Sequence, residues 1–310
     1  MKALLLLALT SLALAQDQKP PATPITDQHY RVYRADGTPS TLDQVITEST
    51  AASVTFLGEL HDDPVAHHLE HQLFAKTWTP GLALSLEMFE RDVQYILNEY
   101  LTGVITPEQF QASSRPWKNY RQDYKPLIEF AKEKAVPVIA ANAPRRYVNR
   151  VSRLGAGSLP ELGSDARRYL PPLPYPKPSP AYIAKFEHLM QENKEGGKPL
   201  SADAIAKRLE AQSLWDSSMA HSIADFMTSH PDSRVLHVSG SFHSAQRLGT
   251  VEQLFRYRPG VSVVVVNMIA SDTFPNFDAA TMKEQGDFVI VTDSKLPRSY
   301  VDPPAPAPVK

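Results

Sequence analysis

The chain has 310 residues, with 32 Lys and Arg against 34 Asp and Glu, and it contains no cysteine. The lack of cysteine excludes disulfides, zinc–thiolate and iron–sulfur centres, a cysteine nucleophile and lipid attachment through sulfur. Because the net charge is only −2, the composition does not indicate a nucleic-acid partner. Any chemistry therefore uses oxygen or imidazole groups.

The first fifteen residues have the composition of a secretory signal. Lys2 precedes an uncharged apolar run from Ala3 to Leu14, and the segment ends in Ala13-Leu14-Ala15. Such a run is too short to span a membrane and is typical of a segment removed on export. We therefore expect residues 1–15 to be cleaved. The product would be a periplasmic or secreted protein with no integral membrane segment and no lipid anchor through cysteine.

Between two Pro-rich ends, short apolar runs alternate with helical patterns. Residues 16–27 are predicted to be a disordered leader and residues 295–310 a disordered tail, which leaves an α/β domain over residues 28–294. The expected strands are 30–33, 54–57, 82–86, 136–140, 234–238, 261–266 and 288–291, with helices at 64–76, 92–101, 125–134, after Pro144, and at 250–257. Strands separated by helices in this way predict a mostly parallel β-sheet flanked by helices on both faces.

The alternation stops between the third and fourth parallel strands, counted from strand 54–57. The gap of about ninety residues is far longer than an ordinary crossover. It contains the Pro-rich stretch Pro171–Pro180, followed by helical patterns at 181–192 and 202–227. We interpret residues 155–230 as a helical insertion, either a lid or a small subdomain.

Acidic, imidazole and basic side chains follow four of the predicted parallel strands. Ligands of open parallel sheets bind outside the carboxyl ends of the strands, so residues there are candidates for a site. The candidates are Glu59 and His61 after the first strand, Glu87 and Arg91 after the second, Arg145 and Arg146 after the third, and His243 after the fourth. Their convergence on one edge predicts a functional site.

Two other features are open to more than one interpretation. His67 and His71 belong to an H-x-x-E-H string typical of some zinc peptidases. Because Leu69 lies nearly opposite them on a helix, we expect both to face solvent instead. Tyr175 and Tyr182 flank the Pro-rich stretch. They either pack against prolines or supply an oxygen ligand to ferric iron, as tyrosine does in some haem proteins.

Six motifs in a fixed order carry a family resemblance. They are GELHDD (58–63), LEMFERD (86–92), WKNYRQDYKPLIEFA (117–131), ANAPRR (141–146), AQSLWDSSMA (211–220) and GSFH (240–243). Together they make the chain resemble the ChaN-like haem-binding proteins, within a wider group that includes the Tiki and TraB proteins and the erythromycin esterases. The resemblance implies an α/β sheet with a helical insertion, export to the cell envelope, and haem binding linked to iron acquisition.

The ChaN-like proteins imply a haem site shared by two subunits, with tyrosine on iron and basic or imidazole groups on the propionates. On this hypothesis Tyr175 or Tyr182 ligates the iron of haem. Arg145, Arg146 or Lys177 pairs with propionates. A ligand-dependent homodimer would then bury the macrocycle.

The wider group implies a different function, because its G-x-x-H and E-x-x-x-R motifs belong to hydrolytic sites, some of them metal-dependent. The corresponding residues here are Glu59, His61, Glu87, Arg91 and His243. Glu59, His61, Glu87 and His243 would either bind a divalent metal (Zn, Mn or Co) or act directly as base and orienting groups on an ester or amide. A third possibility is an envelope interaction protein that uses these residues only for stability.

Overall fold

The structure of the protein is a computed structural model that describes residues 24–192 and 200–300. Seven strands form one sheet: β1 (Tyr30–Arg34), β2 (Val54–Glu59), β3 (Leu82–Glu90), β4 (Val138–Asn142), β5 (Arg234–Gly240), β6 (Val263–Ser271) and β7 (Phe288–Asp293). Their order is β1-β7-β6-β2-β5-β3-β4, and every neighbouring pair is parallel except β1 with β7. The predicted α/β class is confirmed.

Helices fill the connections between the strands. They are α1 (Leu42–Ala51), α2 (Pro64–Thr77), α3 (Gln94–Leu101), α4 (Pro107–Ser114), α5 (Lys125–Glu133), α6 (Arg145–Leu154), α7 (Ser164–Arg167), α8 (Pro180–Glu192), α9 (Ala202–Ser229), α10 (Thr250–Tyr257) and α11 (Ala279–Met282). Among the described residues, no helix is both long and apolar enough to cross a membrane.

Alternating side chains of the buried strands build a core on each face of the sheet. Leu57 of β2 packs on one face, in a cluster that includes Leu69 of α2 and Leu127 of α5. Its neighbour Phe56 packs on the other face, in a cluster that includes Ile223 of α9. Because successive residues of a strand point to opposite faces, both must be apolar when helices cover both faces.

The long helix α9 has two environments along its length. Its first half contributes Ala211 and Leu214 to a cluster with α6 beyond the end of the sheet. Its second half packs on the sheet through Met219 and Ile223, as an ordinary crossover helix does. The segment predicted as an insertion, residues 155–230, therefore includes the helix that returns the chain to β5.

Several of the predicted terminal segments lie outside the described residues. These are the signal (1–15), most of the leader (up to 23) and the tail beyond residue 300. The described part of the leader includes Ile25, which packs against the core. In the described part of the tail, the Ser299 hydroxyl donates to Asp123 and its backbone N–H to the carbonyl of Asp62.

Gly58 shows how tightly the end of β2 is enclosed. A Cβ atom at this position would lie 1.9 Å from Asn267 Oδ1 and 2.6 Å from Ser244 Oγ. The Ser244 hydroxyl donates a hydrogen bond to Oδ1 of Asn267, which belongs to β6. A side chain at residue 58 would separate them, so the glycine fixes the position of the strand end.

We predict that Gly58→Ala lowers the free energy of unfolding by about 1–3 kcal/mol or more, because overpacking displaces a buried polar pair. Chemical denaturation of the purified variant measures this loss. Gly157→Ala is the matched control, since no atom lies within 4 Å of a Cβ at residue 157. If the free energy of unfolding fell equally in the two variants, the close approach at Gly58 would not contribute to stability.

Candidate functional site

A cleft of about 260 Å³ opens at the carboxyl edge of the sheet. The strands that lead to it, β2, β5, β3 and β4, are neighbours in the sheet, so their ends meet there. The lining includes His61, Glu87, Trp117, Arg145, Trp215 and His243. Acid and imidazole groups from the ends of three strands therefore meet in one concave site.

Glu59 is the buried anchor of the first imidazole. One of its oxygens, Oε1, accepts a hydrogen bond from the Tyr124 hydroxyl at 2.7 Å and lies 2.8 Å from Nδ1 of His61. Burial alone lowers the pKa of His61, but the hydrogen bond and charge of Glu59, together with the charge of Glu87, raise it above the usual value near 6.5. The His61 ring also meets the edge of Trp117, with ring centroids 4.8 Å apart.

Glu87 lies where β3 loses its regular pairing with β4, between the pairs formed by Leu86 and Glu90. Such an irregularity commonly redirects a side chain. Here the carboxylate of Glu87 faces the adjacent strand, β5. Its Oε2 accepts the backbone N–H of Gly240 at 2.8 Å, and its Oε1 lies 3.6 Å from Nε2 of His243. Glu87 therefore lies beside the second imidazole.

Asp216 orients that second imidazole. Its Oδ1 lies 2.7 Å from Nδ1 of His243 and accepts a hydrogen bond from Thr250, while the hydroxyl of Tyr182 donates to its Oδ2. Burial lowers the pKa of His243, but the charges of Glu87 and Asp216 outweigh it and raise the pKa to about 9. His243 is therefore an imidazolium at neutral pH, held between two carboxylates.

A second layer of titratable groups lies behind the cleft. His67 Nδ1 is 3.1 Å from Glu59 Oε2 and 3.2 Å from Glu70 Oε2, and its Nε2 is 3.2 Å from the carbonyl oxygen of His61. The expectation that His67 faces solvent is wrong, since only 7% of it is exposed. The segment before α5 covers the start of α2: the Tyr124 ring packs edge-on against His67.

Comparison with known proteins places this site in a family. The sequence profile described as "Haem-binding uptake, Tiki superfamily, ChaN" matches residues 45–254. That is about two thirds of the chain and includes the whole lining of the cleft. The chain belongs to this family of ChaN-like haem-binding proteins.

Solved structures and a curated relative extend the comparison. A structure titled for cofacial haem binding to ChaN of Campylobacter jejuni shares the fold, with 18% identity and a TM-score of 0.62 over 87% of this chain and all of that chain. A mutant of the erythromycin esterase EreC in its open conformation is 12% identical, with a TM-score of 0.45 over 85% of this chain and 83% of that one. Protein RETICULATA-RELATED 5, chloroplastic, of Arabidopsis thaliana is 32% identical over 92 residues, which span 29% of this chain and 12% of that protein.

The structure brings together only some of the side chains predicted for the site. His61, Glu87, His243 and Arg145 line the cleft, and Glu59 lies directly behind it. The guanidinium of Arg145 is exposed and has no ion pair among the described residues. Arg145 is also the first residue of α6, and no side chain caps the start of that helix.

The other predicted side chains do not line the cleft. Tyr182 is buried and donates to Asp216, and the Tyr175 hydroxyl donates to the carbonyl of Glu210. Burial raises the pKa of both phenols, which disfavours the phenolate. Arg146 pairs with Asp92, Arg91 lies 3.0 Å from His221, and Lys177 is on the surface.

The free energy of unfolding should fall between about pH 6.5 and pH 9. Native His243 keeps its proton up to about pH 9, whereas unfolded histidine loses it near 6.5. The native state therefore binds more protons in this interval. The contribution of His243 is complete below pH 6.5 and lost above pH 9, with a slope of up to about 1.4 kcal/mol per pH unit. Urea denaturation at a series of pH values measures the slope.

Asp216→Asn should make this slope shallower, because it removes one of the two charges that hold the proton on His243. The matched control is Asp203→Asn on the same helix, which removes only a surface ion pair with Lys207. A slope unchanged by Asp216→Asn would contradict the assignment.

Proposed function

We propose that the protein binds haem and that the cleft holds a haem propionate. Family membership over residues 45–254 supports haem as the ligand. The observation that carries the placement is Arg145, which is exposed, forms no ion pair with a described residue and lines the same cleft as His61. An arginine that shares a cleft with an imidazole whose pKa is raised forms a donor set suited to a carboxylate.

The start of α6 adds to this anion site. Its first backbone N–H groups have no capping side chain, because the N-cap residue is Pro144. Helix N-termini attract anions through such groups and through the helix dipole. Arg145, His61 and the α6 N-terminus therefore favour the same negatively charged group. When bound, haem would supply the iron chemistry, and these residues of the chain would orient it through its carboxylates.

The size of the cleft supports a shared site. At about 260 Å³ it is smaller than the ~300–1,000 Å³ pockets that usually enclose a whole small ligand. One copy of the chain would therefore grip an edge of the macrocycle and leave most of its apolar face uncovered. A ligand-dependent homodimer would bury that face, which agrees with the cofacial haem binding reported for ChaN of Campylobacter jejuni.

Haem titration with a modified ligand tests the propionate contact. We expect hemin to produce a Soret shift in the native protein, and hemin dimethyl ester to bind about 10–100-fold more weakly, because it lacks the charged hydrogen bonds. Arg145→Gln should bind hemin about as weakly as the native protein binds the ester. The control is Arg146→Gln, which removes a neighbouring guanidinium already paired with Asp92.

Two outcomes would separate the parts of this proposal. If native protein gave no Soret shift with hemin, haem would not be the ligand. If native protein bound both ligands equally and Arg145→Gln bound hemin normally, the propionate would lie elsewhere. Analytical ultracentrifugation of the same samples measures the oligomer, which we expect to shift from monomer to dimer when hemin is added.

A second candidate function, hydrolysis of an ester or amide, rests on one observation. His243 lies between Asp216, which orients it, and Glu87, which contacts its other nitrogen. Because the raised pKa keeps His243 protonated, the imidazolium would act as acid and Glu87 as base. In a metal-dependent form of this chemistry, Glu59, His61, Glu87 and His243 would be the ligands.

Glu87→Gln distinguishes the two functions. A hydrolase should lose at least about 100-fold in rate on ester and amide substrates when Glu87 is replaced, because general base catalysis contributes that much. The matched control is Glu48→Gln, which affects only an ion pair with Arg34. Hydrolysis that persists in Glu87→Gln, or none in the native protein, would exclude this candidate.

We also propose that the protein is exported. The signal-like composition of residues 1–15 supports this. Fractionation of cells that express the full chain should recover a shortened protein outside the cytoplasm, and deletion of residues 3–14 should keep it inside. Recovery of the full-length chain in the cytoplasm would contradict the proposal.

A further inference from the structure

Three buried side chains behind the cleft place their ligand atoms unusually close together. An oxygen of Glu59, Nδ1 of His67 and an oxygen of Glu70 all lie within 4.8 Å of one another. The exposed fractions are 2%, 7% and 0%. The group connects the end of β2 to the first two turns of α2. It lies behind the anion site proposed for the cleft and meets that site through Glu59, which also holds His61.

The orientation of His67 places one of its ring nitrogens between the two carboxyl groups. Its Nε2 is 3.2 Å from the carbonyl oxygen of His61, which can only accept, so Nε2 carries a hydrogen. Nδ1 is then the atom that faces the carboxylates of Glu59 and Glu70. A lone pair there would be repelled by ionised carboxylates, so a proton or a metal cation on Nδ1 suits this position.

A proton satisfies this arrangement only in part. Nδ1 meets the geometry of a hydrogen bond to Glu70 Oε2, but Glu59 Oε2 receives no hydrogen bond although it lies 3.1 Å from Nδ1. Glu70 Oε1 is also buried without a partner. Buried carboxylate oxygens without partners are costly, because each has lost its hydration. A single cation between the carboxyl groups would contact both of these oxygens at once.

Two of the three spacings in the cluster match those of metal ligands. Ligands at about 2.0–2.1 Å around a tetrahedral zinc are about 3.3 Å apart, and the two distances from His67 Nδ1 are 3.1 and 3.2 Å. Two carboxylates also balance the charge of a divalent ion. One imidazole with two carboxylates suits zinc, cobalt or manganese more than magnesium or calcium, which prefer oxygen alone.

We propose that Glu59, His67 and Glu70 form a buried binding site for one divalent transition-metal ion, in which the metal replaces the hydrogen on Nδ1 of His67. The neighbouring groups support these ligands. Tyr124 donates to the other oxygen of Glu59, and the carbonyl of His61 holds Nε2 of His67. The site is structural in character, because it joins β2 to α2 behind the cleft and does not line it.

Metal binding by matched variants tests this site. The native protein, stripped with a chelator, should bind about one equivalent of Zn²⁺ or Co²⁺ in a competition titration with a chromophoric chelator. His67→Gln and Glu70→Gln should each bind at least about 100-fold more weakly, since even the partners of metal ligands contribute 10–100-fold. The control His71→Gln removes a histidine one turn further along α2 and should bind normally.

A second measurement does not depend on how well the variants fold. X-ray absorption of the native zinc form should show a shell of nitrogen and oxygen with the scattering pattern of a single imidazole. The proposal is overturned if the stripped native protein binds neither metal. It is also overturned if Glu70→Gln retains the metal while Glu87→Gln loses it, or if the spectrum shows two imidazoles, because the ion would then lie in the cleft near His61 and His243.

Discussion

The site depends on one buried negative charge, the carboxylate of Glu59. An ionised group in the interior is tolerated only when charges and hydrogen bonds around it replace water. Burial raises the pKa of Glu59, but His67, His61 and Tyr124 together lower it below its usual value. These partners come from α2, the loop after β2 and the start of α5. The contacts that stabilise this one carboxylate therefore fix the relative positions of α2, the loop after β2 and the start of α5.

On the other side of the cleft, a second buried carboxylate also holds an imidazole, with residues from different elements. There Asp216, on the half of α9 that leads into the sheet, holds His243 after β5. Tyr182 of α8 in turn holds Asp216. The segment between β4 and β5 therefore supplies Asp216 and Tyr182, which hold the imidazole of His243 in place. This role requires a fixed position, because an aspartate that moved by an ångström would release His243.

The sequence predicts features that depend on neighbouring residues, but not contacts between residues that are far apart in the chain. The strands and the edge at which His61, Glu87 and His243 meet were predictable, because apolar periodicity and parallel topology are local patterns with one geometric outcome. The residues that hold these side chains in place were not predictable. Asp216 lies 27 residues from His243 and reaches it only through the path of α9. Only its motif, AQSLWDSSMA, marked the segment.

His67 shows a second limit. A helical wheel places it opposite Leu69, which predicts a solvent-facing side chain if the helix has one buried face. The first turns of α2 are instead buried on both sides, because the segment around Asn119 and Tyr124 covers the outer one. Tyr175 and Tyr182 show the reverse case. Their place beside a Pro-rich stretch left open packing against prolines or an oxygen ligand to iron, and in the structure both hydroxyls donate to acceptors on α9.

The charge arrangement explains how a site rich in acids can favour an anion. The carboxylates of Glu59 and Asp216 lie behind the imidazoles, buried and already paired with them. Their main effect on the cleft is to raise the pKa of His61 and His243. These imidazoles and Arg145 line the cleft together with Glu87. A ligand therefore meets imidazole and guanidinium donors first, and the buried acids act through them.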